Sequence, residues 1–230
     1  TGYTGDMSRI EPVPPRKVRQ ALTELVGGEE GARTRIAVFE SLLTGPRGEG
    51  ARLWWARGRG RTRGAALVMR HPGRCGMVLH SPPPTGRQGR RRLAELLSTA
   101  GQAALEEGLA FVQALIRPDD EAAREILTRA GFDLLAELVY LHRRLRDLPD
   151  PPTGVELTAC GEDLRPRLRE AIRASYVGSR DCPALLGLRS VDEVLATHED
   201  TGIFTPRSWW LARHEGQDIG CVLVNGNAGG

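Results

Sequence analysis

The chain has 230 residues, a formal net charge of +3 and a hydrophobic content of 40%, which allows one complete hydrophobic core and part of another. No apolar run reaches the about 20 residues of a membrane span and no signal peptide is evident, so we expect a cytoplasmic protein without a membrane partner. The four cysteines and five histidines show none of the spacings of a metal site or a disulfide framework.

The basic residues do not by themselves indicate a nucleic-acid partner. All of the 32 basic residues except Lys17 are arginine, a bias that genome composition alone can produce. They cluster at Arg57–Arg63 and Arg87–Arg92, and only Trp54 and Trp55 lie close enough in sequence to offer stacking surfaces.

The first elements in chain order are a tail, two helices and a strand pair. We expect residues 1–8 to form a disordered tail, and apolar residues at helical spacing predict helices at about Pro15–Val26 and Thr34–Leu43. Leu53–Ala56 and Ala65–Met69 then predict two strands joined by a turn of glycine and arginine.

A third strand is predicted at Cys75–His80, and a Pro-rich loop leads from it into a basic segment. This segment opens a helix whose apolar residues share one side: Leu93, Leu96, Leu97, Ala100 and Ala104. Leu109–Ile116 is then a continuous apolar run, which is typical of a strand buried on both faces.

Arg117–Phe132 contains a helix with a clear start and end. Asp119 or Asp120 can cap its amino end, and Gly131 supplies the left-handed residue that ends it, with a phenylalanine that can fold back. After this helix, residues 133–145 alternate apolar and polar side chains, which predicts an antiparallel strand.

This order of elements resembles the GCN5-related N-acetyltransferase (GNAT) family, whose closing motif is a strand, a loop, a helix and a Gly-Phe pair, here Gly131 and Phe132. The resemblance implies an α/β (α+β) domain over residues 9–147, with a mixed, mostly antiparallel sheet flanked by helices. It also implies acetyl-CoA as co-substrate, no metal, and a small-molecule or peptide amine as acceptor.

In that family a turn of the form Arg/Gln-x-x-Gly-x-Gly/Ala opens a helix whose amides hold the pyrophosphate of acetyl-CoA. Laid on this chain without gaps, the motif covers Thr85, Gly86, Arg87, Gln88, Gly89 and Arg90. The two motif glycines become Gln88 and Arg90, which hinders close backbone approach, although the arginines add charge that can bind phosphate. We hypothesise that this loop binds CoA; a solvated basic helix start is the alternative.

The resemblance further implies that the backbone amides of Val78 and Leu79 polarise the thioester carbonyl. The titratable side chain at the end of this strand is His80, and we name it as a candidate general base. The alternative is that His80 is a partly exposed histidine without a catalytic role. The tyrosine that many family members use as general acid falls on Leu127, which has no hydroxyl.

An internal repeat indicates a second copy of the first half. Leu53–Val68 aligns with Trp209–Val224, with identical tryptophan, alanine, arginine, glycine, leucine and valine positions. A strand and two helices are predicted ahead of the second segment, as ahead of the first. We therefore expect a linker at residues 148–154 and the amino-terminal half of a second GNAT-like domain at residues 155–230, truncated where the chain ends.

These expectations favour a tandem acyltransferase that moves an acetyl group from acetyl-CoA to a primary amine. The competing interpretation is a catalytically inactive GNAT-like scaffold or regulatory module that supports a second, catalytic copy. A third interpretation, arginine-mediated nucleic-acid binding, predicts an affinity for polyanions that falls steeply with salt.

Overall fold

The structure of the chain is a computed structural model, and it describes residues 9–28, 30–45, 50–58, 61–139, 141, 146 and 153–227. The chain divides into two compact units, unit 1 at residues 1–134 and unit 2 at residues 135–230. The tail predicted at residues 1–8 lies outside the described residues. Within the described ranges, no helix combines the length and the apolar character needed to cross a membrane.

Unit 1 contains a five-stranded sheet with helices on both faces. Its elements are β1 (Arg9–Pro12), α1 (Val18–Val26), α2 (Ala32–Thr44), β2 (Ala51–Gly58), β3 (Arg61–His71), β4 (Cys75–His80), α3 (Arg87–Glu106), β5 (Phe111–Gln113) and α4 (Glu121–Arg129). The strands lie in chain order, with β5 parallel to β4 and all other neighbours antiparallel. The predicted mixed, mostly antiparallel sheet flanked by helices is confirmed.

Two separate cores lie on the two faces of this sheet, because successive side chains of a strand point to opposite sides. Trp55 and Leu67 are buried on the face covered by α1 and α2. Ala56 and Val68, the next residues along each strand, are buried on the face covered by α3 and α4. The sheet is therefore the middle layer of a three-layer unit.

The two helices of the second face form as the sequence predicts. The apolar residues on one side of α3 are all buried: Leu93, Leu96, Leu97, Ala100 and Ala104. Asp120 caps α4 by accepting a hydrogen bond from the backbone N–H three residues on, at 2.9 Å. Gly131 has a φ of 90°, and the N–H of Phe132 donates to the carbonyl of Leu127 at 3.0 Å, which completes a Schellman motif. Phe132 is thereby held against α3 near Gly101.

β5 is shorter than the sequence predicts. The strand predicted over Leu109–Ile116 forms only at Phe111–Gln113, and Gln113 is exposed, so the prediction of a long strand buried on both faces is wrong. Within the described residues β5 is the edge of the sheet and pairs only with β4. The apolar run has a different cause, since Ala114 and Ile116 pack on the α3 side of the core after the strand has ended.

The strand predicted at residues 133–145 does not form in its described part. Residues 133–139 have no regular secondary structure, so the prediction is wrong there. Large apolar side chains of this segment are exposed: Leu134, Leu138 and Val139. Alternating apolar and polar residues form a strand only where another strand pairs with them and one face is covered. Within the described ranges, residues 133–139 have no such partner. Tyr140 and residues 142–145 lie outside the described ranges.

Unit 2 contains a three-stranded antiparallel sheet with two helices on one face. Its elements are β6 (Val155–Ala159), α5 (Arg165–Ser175), α6 (Val191–Asp200), β7 (Trp209–His214) and β8 (Gln217–Leu223). β7 is the central strand, and its Trp209 and Leu211 are buried with Leu168 of α5 and Leu195 of α6. Unit 2 thus repeats the order strand, two helices and hairpin that begins unit 1.

The β2–β3 and β7–β8 hairpins share one strand register. Trp54 pairs with Ala66 in the first hairpin, as Trp210 pairs with Val222 in the second. Both hairpins then have a one-residue irregularity, after which Arg57 pairs with Thr62 and Arg213 with Asp218. The first strands join the hairpins by equivalent bonds, because Val13 donates to the carbonyl of Leu53 at 2.8 Å and Cys160 donates to that of Trp209 at 2.7 Å. The repeat therefore extends from residue identity to backbone pairing.

Candidate functional site

β4 and β5 separate at one end of unit 1. They pair only over Cys75–Met77 and Phe111–Gln113. β4 then continues to His80, still paired with β3, whereas β5 has ended. Parallel strands that part in this way leave a gap between their carboxyl ends, which we call the β4–β5 opening and define by the backbones of Val78–His80 and residues 114–116.

The backbones of Val78 and Leu79 face opposite sides of β4. Ser81 donates its N–H to the carbonyl of Ala65 at 3.0 Å, and hydrogen-bonded pairs alternate along an antiparallel ladder. Leu79 therefore forms a hydrogen-bonded pair with Leu67 of β3, whereas the N–H and C=O of Val78 point away from β3. Of the two amides that the resemblance implies, that of Leu79 faces β3, and that of Val78 faces β5, where the Met77–Gln113 pair of the parallel ladder takes it up. The N–H of His80 is the next along β4 that faces away from β3, and it lies beyond the end of β5.

His80 lies half-buried at the end of β4, and its tautomer is set by a neighbour. Its Nδ1 is 2.7 Å from the carbonyl oxygen of Ser81. Because a carbonyl oxygen only accepts, Nδ1 carries the hydrogen and the neutral ring keeps its lone pair on Nε2. This is a form in which a histidine can accept a proton from a substrate.

Ser81 is a residue of this region that the sequence analysis misses. It is buried, and its Oγ accepts from the N–H of Ala65 at 2.8 Å, in place of the next backbone bond of the ladder. The side chain thus ends the β3–β4 ladder and fixes the carbonyl that orients His80. A serine after a strand belongs to no motif, and its partner is sixteen residues away in sequence.

The amino end of α3 follows β4 after a short loop. The helix begins at Arg87, with Gly86 as its cap residue and no capping side chain. Gly86, Arg87 and Gln88 are exposed. The first-turn amides of a helix have no partner within the helix and favour an anion, so this end presents donors to solvent.

Gly89 is required by the packing of the loop. A Cβ built on Gly89 would lie 2.9 Å from two ring carbons of Pro84, closer than real Cβ atoms come. The glycine therefore lets the proline ring rest on the first turn of α3. Packing against Pro84 is thus a sufficient reason for a glycine at this position, without a bound ligand. The proline ring also covers the side of Gly89 on which a Cβ would lie.

The guanidinium of Arg90 is committed to protein partners. It donates from Nη1 to Glu125 of α4 at 2.9 Å and from Nε to the carbonyl of Pro84 at 3.1 Å. Glu125 is also held by Arg129 at 3.2 Å. Arg90 thus links α3, α4 and the loop, and its charge is already balanced by a carboxylate.

The other arginines of the basic segment differ in their surroundings. Arg91 pairs with Glu95 one turn further on at 2.8 Å, and Arg92 is buried. Arg87 is exposed at the helix start, and within the described ranges it has no ion pair. Of the residues predicted to bind CoA, Arg87 is therefore the available cation.

The position where the resemblance implies a tyrosine is part of the core. Leu127 is 6% exposed and packs with α3, and its carbonyl receives the Phe132 hydrogen bond. Asp120 is a helix cap, as the sequence predicts, because its carboxylate accepts from the N–H of Ala123. Leu127 has no group that can transfer a proton.

Two of the cysteines in unit 2, Cys160 and Cys221, are not activated. Burial raises the pKa of both Cys160 and Cys221, and the proximity of Cys221 raises that of Cys160 further. Both thiols therefore stay protonated near neutral pH, which disfavours a nucleophilic role. The described ranges contain no group of three or more acidic, histidine or cysteine side chains placed to hold a metal ion.

No protein-family model and no curated protein matches the chain. Solved structures do resemble it. A probable acetyltransferase is 16% identical with a TM-score of 0.47, over 61% of this chain and 99% of its own. An aminoglycoside N-acetyltransferase in complex with CoA is 14% identical with a TM-score of 0.49, over 63% of this chain and 99% of its own.

A transcriptional regulator from Bacillus halodurans C-125 is similar to a comparable extent, at 15% identity and a TM-score of 0.45, over 59% of this chain and 99% of its own. The similar structures thus include proteins described as acetyltransferases and one described as a regulator. At these scores the likeness carries no argument about what this chain binds or does.

Proposed function

We propose that unit 1 binds acetyl-CoA in the β4–β5 opening and transfers its acetyl group to a primary amine of a small molecule or peptide. The observation that carries this proposal is the separation of two parallel strands beside the amino end of α3. A gap of this kind can hold an extended, amide-bearing chain, and the helix end can hold the phosphates attached to it.

The proposal gives each element one role. The first-turn amides of α3, from Gly86 to Gly89, and the side chain of Arg87 contact the pyrophosphate. The N–H of His80, which faces the gap beyond the last pair of β4 with β5, donates to the thioester carbonyl oxygen as negative charge develops there. Arg90 has a supporting role, since it holds the loop to α4 through Glu125.

The transfer step forms one bond and breaks one. The amine nitrogen attacks the thioester carbon, a C–N bond forms, the C–S bond breaks, and the thiolate of CoA leaves. The proposal assigns the proton lost by the amine to Nε2 of His80, whose Nδ1–H is held by Ser81. Because Leu127 offers no hydroxyl, the leaving thiolate takes its proton from solvent.

Calorimetry with CoA on the full chain tests the binding part of the proposal. We expect saturable binding that Arg87→Ala weakens about tenfold, since a charged hydrogen bond to a phosphate is lost. Arg91→Ala is the matched control, because this arginine lies four residues further on and is paired with Glu95. Absence of CoA binding by the intact chain would refute the proposal.

The second candidate function is a non-catalytic scaffold, and a specific observation favours it. Leu127 fills the core and Arg90 is neutralised by Glu125, so both positions serve packing. An acetyl-CoA consumption assay with a panel of primary amines separates the two functions. CoA binding without turnover for any amine supports the scaffold, whereas turnover that His80→Gln lowers at least tenfold supports the transferase.

We also propose that unit 2 is a second copy of the amino-terminal half of the GNAT-like domain, the half that β1, α1, α2, β2 and β3 form in unit 1. The shared register, the shared irregularity and the equivalent bonds of the first strands support this. The proposed domains are residues 9–147 and 155–230 with a linker at 148–154, most of which lies outside the described residues; the compact units divide further upstream, between residues 134 and 135. A crystal structure in which the two hairpins differ in register would contradict the duplication.

A further inference from the structure

Glu24 is an acidic residue of α1 that is half-buried and has no cation beside it. Within the described ranges its side chain forms no hydrogen bond and no ion pair, whereas Glu40 of α2 and Glu125 of α4 are both paired with arginine. Burial raises the pKa of the Glu24 carboxyl above its ordinary value. A carboxylate that has lost part of its hydration and gained no partner is costly, and the packing of α1 gives no reason for it.

The orientation of Glu24 around α1 follows from a residue on the other flank of the helix. Arg19 faces α2, because its Nη1 donates to Oε2 of Glu40 at 3.2 Å. Glu24 is five residues further on, which turns it by about 140° from Arg19, and the buried stripe of α1 lies between the two flanks. α1 packs on β3 with β2 and β4 beside it, and α2 packs on β2. Glu24 is therefore on the flank that is directed toward β4 and β5.

The position of Glu24 along the sheet is fixed by the end of α1. Gly27 is the residue that ends this helix, and a Cβ built on it would lie 2.9 Å from Cγ of Pro82. Pro82 follows the last residue of β4 by two positions, so the end of α1 rests on the loop that leaves β4. Glu24 is three residues before Gly27, which is less than one helix turn. It therefore lies near the carboxyl end of β4, where the β4–β5 opening begins.

The α1 side of the β4–β5 opening adds apolar side chains to this carboxyl. Leu79 of β4 packs on the α1 side of the sheet and is partly buried. Leu115 is 56% exposed, and it lies between Ala114 and Ile116, which both pack on the α3 side, so its own side chain points away from that core. A carboxylate beside such apolar groups fits a ligand that combines a positive charge with an aliphatic part.

We propose that Glu24 binds a second ammonium group of the acceptor, so that unit 1 acetylates diamines in preference to monoamines. The inference rests on the acetyl transfer proposed above and names the class of acceptor. The reacting amine must lose its proton before it attacks, whereas a carboxylate stabilises the protonated form of an amine that it holds. Glu24 therefore suits the ammonium that does not react. The aliphatic chain between the two nitrogens would lie against Leu79 and Leu115.

The same carboxyl has one alternative role, which is to take the proton from the reacting amine. The two roles predict different kinetics. A group that holds the distant ammonium equally in the ground state and the transition state changes KM for diamines alone. A general base changes kcat for every amine, because each of them has to lose a proton.

Calorimetry of amine binding to the full chain, saturated with CoA, tests the assignment. Cadaverine and pentylamine form one pair of probes and putrescine and butylamine a shorter pair, and the members of each pair differ in the second amine. We expect the diamine to bind about tenfold more tightly than its monoamine, and Glu24→Gln to remove most of this difference, because a charged hydrogen bond is lost.

Glu40→Gln is the matched control. It removes a carboxylate on α2, beyond the opposite flank of α1, and leaves Arg19 as an exposed side chain without this partner. The affinities for both members of each pair should stay within about twofold of the parent chain. Thermal unfolding of both variants checks that the fold is retained, which glutamine favours because it has nearly the size of glutamate.

Turnover with acetyl-CoA gives the second measurement. Glu24→Gln should raise KM for the diamines about tenfold with kcat nearly unchanged, and it should leave both constants for the monoamines unchanged. Equal binding of diamines and monoamines by the parent chain would overturn the proposal. A kcat that Glu24→Gln lowers alike for both kinds of amine would also overturn it and would assign the carboxyl to proton transfer. Diamine binding that depends on Glu24, without turnover, would support the assignment of Glu24 and contradict the acetyl transfer.

Discussion

Gly86 and Gly89 lie three residues apart at the start of α3, and their surroundings predict opposite effects of replacing each glycine by alanine. A Cβ at Gly89 would collide with the ring of Pro84 at 2.9 Å, whereas a Cβ at Gly86 would meet nothing within 4 Å. We expect Gly89→Ala to lower the free energy of unfolding by about 1–3 kcal/mol. Gly86→Ala, at an ordinary φ of −87°, is the matched control and should be nearly neutral. Equal melting temperatures for the two variants would contradict this account.

Gly101 offers the reverse case, a glycine that the fold does not require. It lies inside α3, and a Cβ there would come only to 3.6 Å from Phe132, an ordinary contact. We expect Gly101→Ala to raise the free energy of unfolding by about 0.5–1 kcal/mol, because alanine loses less backbone freedom in a helix.

The measurement is chemical denaturation of the full chain, with Gly131→Ala as the contrasting control. Gly131 has a φ of 90°, which strains any residue with a Cβ, so that variant should lose about 1 kcal/mol. A loss of stability in Gly101→Ala would show that Phe132 cannot yield to the added methyl group.

Single residues were predictable from sequence where their partners are local. Asp120 and Gly131 act within about one helix turn of their own position, so the start and the end of α4 could be predicted directly from the sequence. Arg90 could not be interpreted in this way, because its partner Glu125 is thirty-five residues away on another helix. The direction of the Leu79 amide depends on the β3–β4 register, which composition does not reveal.

At the scale of elements, the sequence predicts those with strong internal periodicity. The five apolar positions predicted on one side of α3 are all buried, and β4 has the predicted bounds, Cys75–His80. β5 and the segment 133–139 differ from prediction because strand formation needs a pairing partner as well as a pattern. The β4–β5 opening itself follows from where β5 ends, and its position was predictable only through the family resemblance.

The ion pair between Arg167 of α5 and Asp218 of β8 should weaken at low pH. Arg167 donates to both carboxylate oxygens of Asp218, at 2.9 and 2.5 Å, and this hydrogen bonding lowers the pKa of Asp218, with the nearby charge of Arg213 adding to the effect. A carboxyl whose pKa is lower in the folded than in the unfolded state stabilises the fold above about pH 4, and the effect is lost as the pH falls through the folded value.

We therefore expect the melting temperature of unit 2 to decrease when the pH is lowered below about 4, partly because the Asp218 carboxylate becomes protonated. Asp218→Asn should make the acid dependence shallower, and Arg167→Gln should do the same because it removes the other partner. The measurement is thermal unfolding at a series of pH values, followed at tryptophan fluorescence. An unchanged slope in both variants would contradict the assigned cause.

At the scale of the whole molecule, the chain divides into two units between residues 134 and 135, and residues 135–139, at the start of unit 2, have no regular secondary structure. We expect a protease specific for glutamate to cut first at Glu137, which is exposed there. Mass spectrometry of a time course should show two lasting fragments that meet at this bond. Glu137→Gln is the control and should delay their appearance; first cuts inside α3 or β7 would contradict the division.

Two hairpins of one register within a single chain create a choice of partner during folding. β2 could form the same ladder with β8 as with β3, because the paired positions match along the strands. The β7–β8 turn consists of Glu215 and Gly216, with φ of 48° and 79°, values that suit a tight two-residue turn. A tight turn closes far sooner than a loop that spans half the chain, so each strand meets its neighbour first. The turn residues thereby protect the protein against crossed pairing between its own repeats.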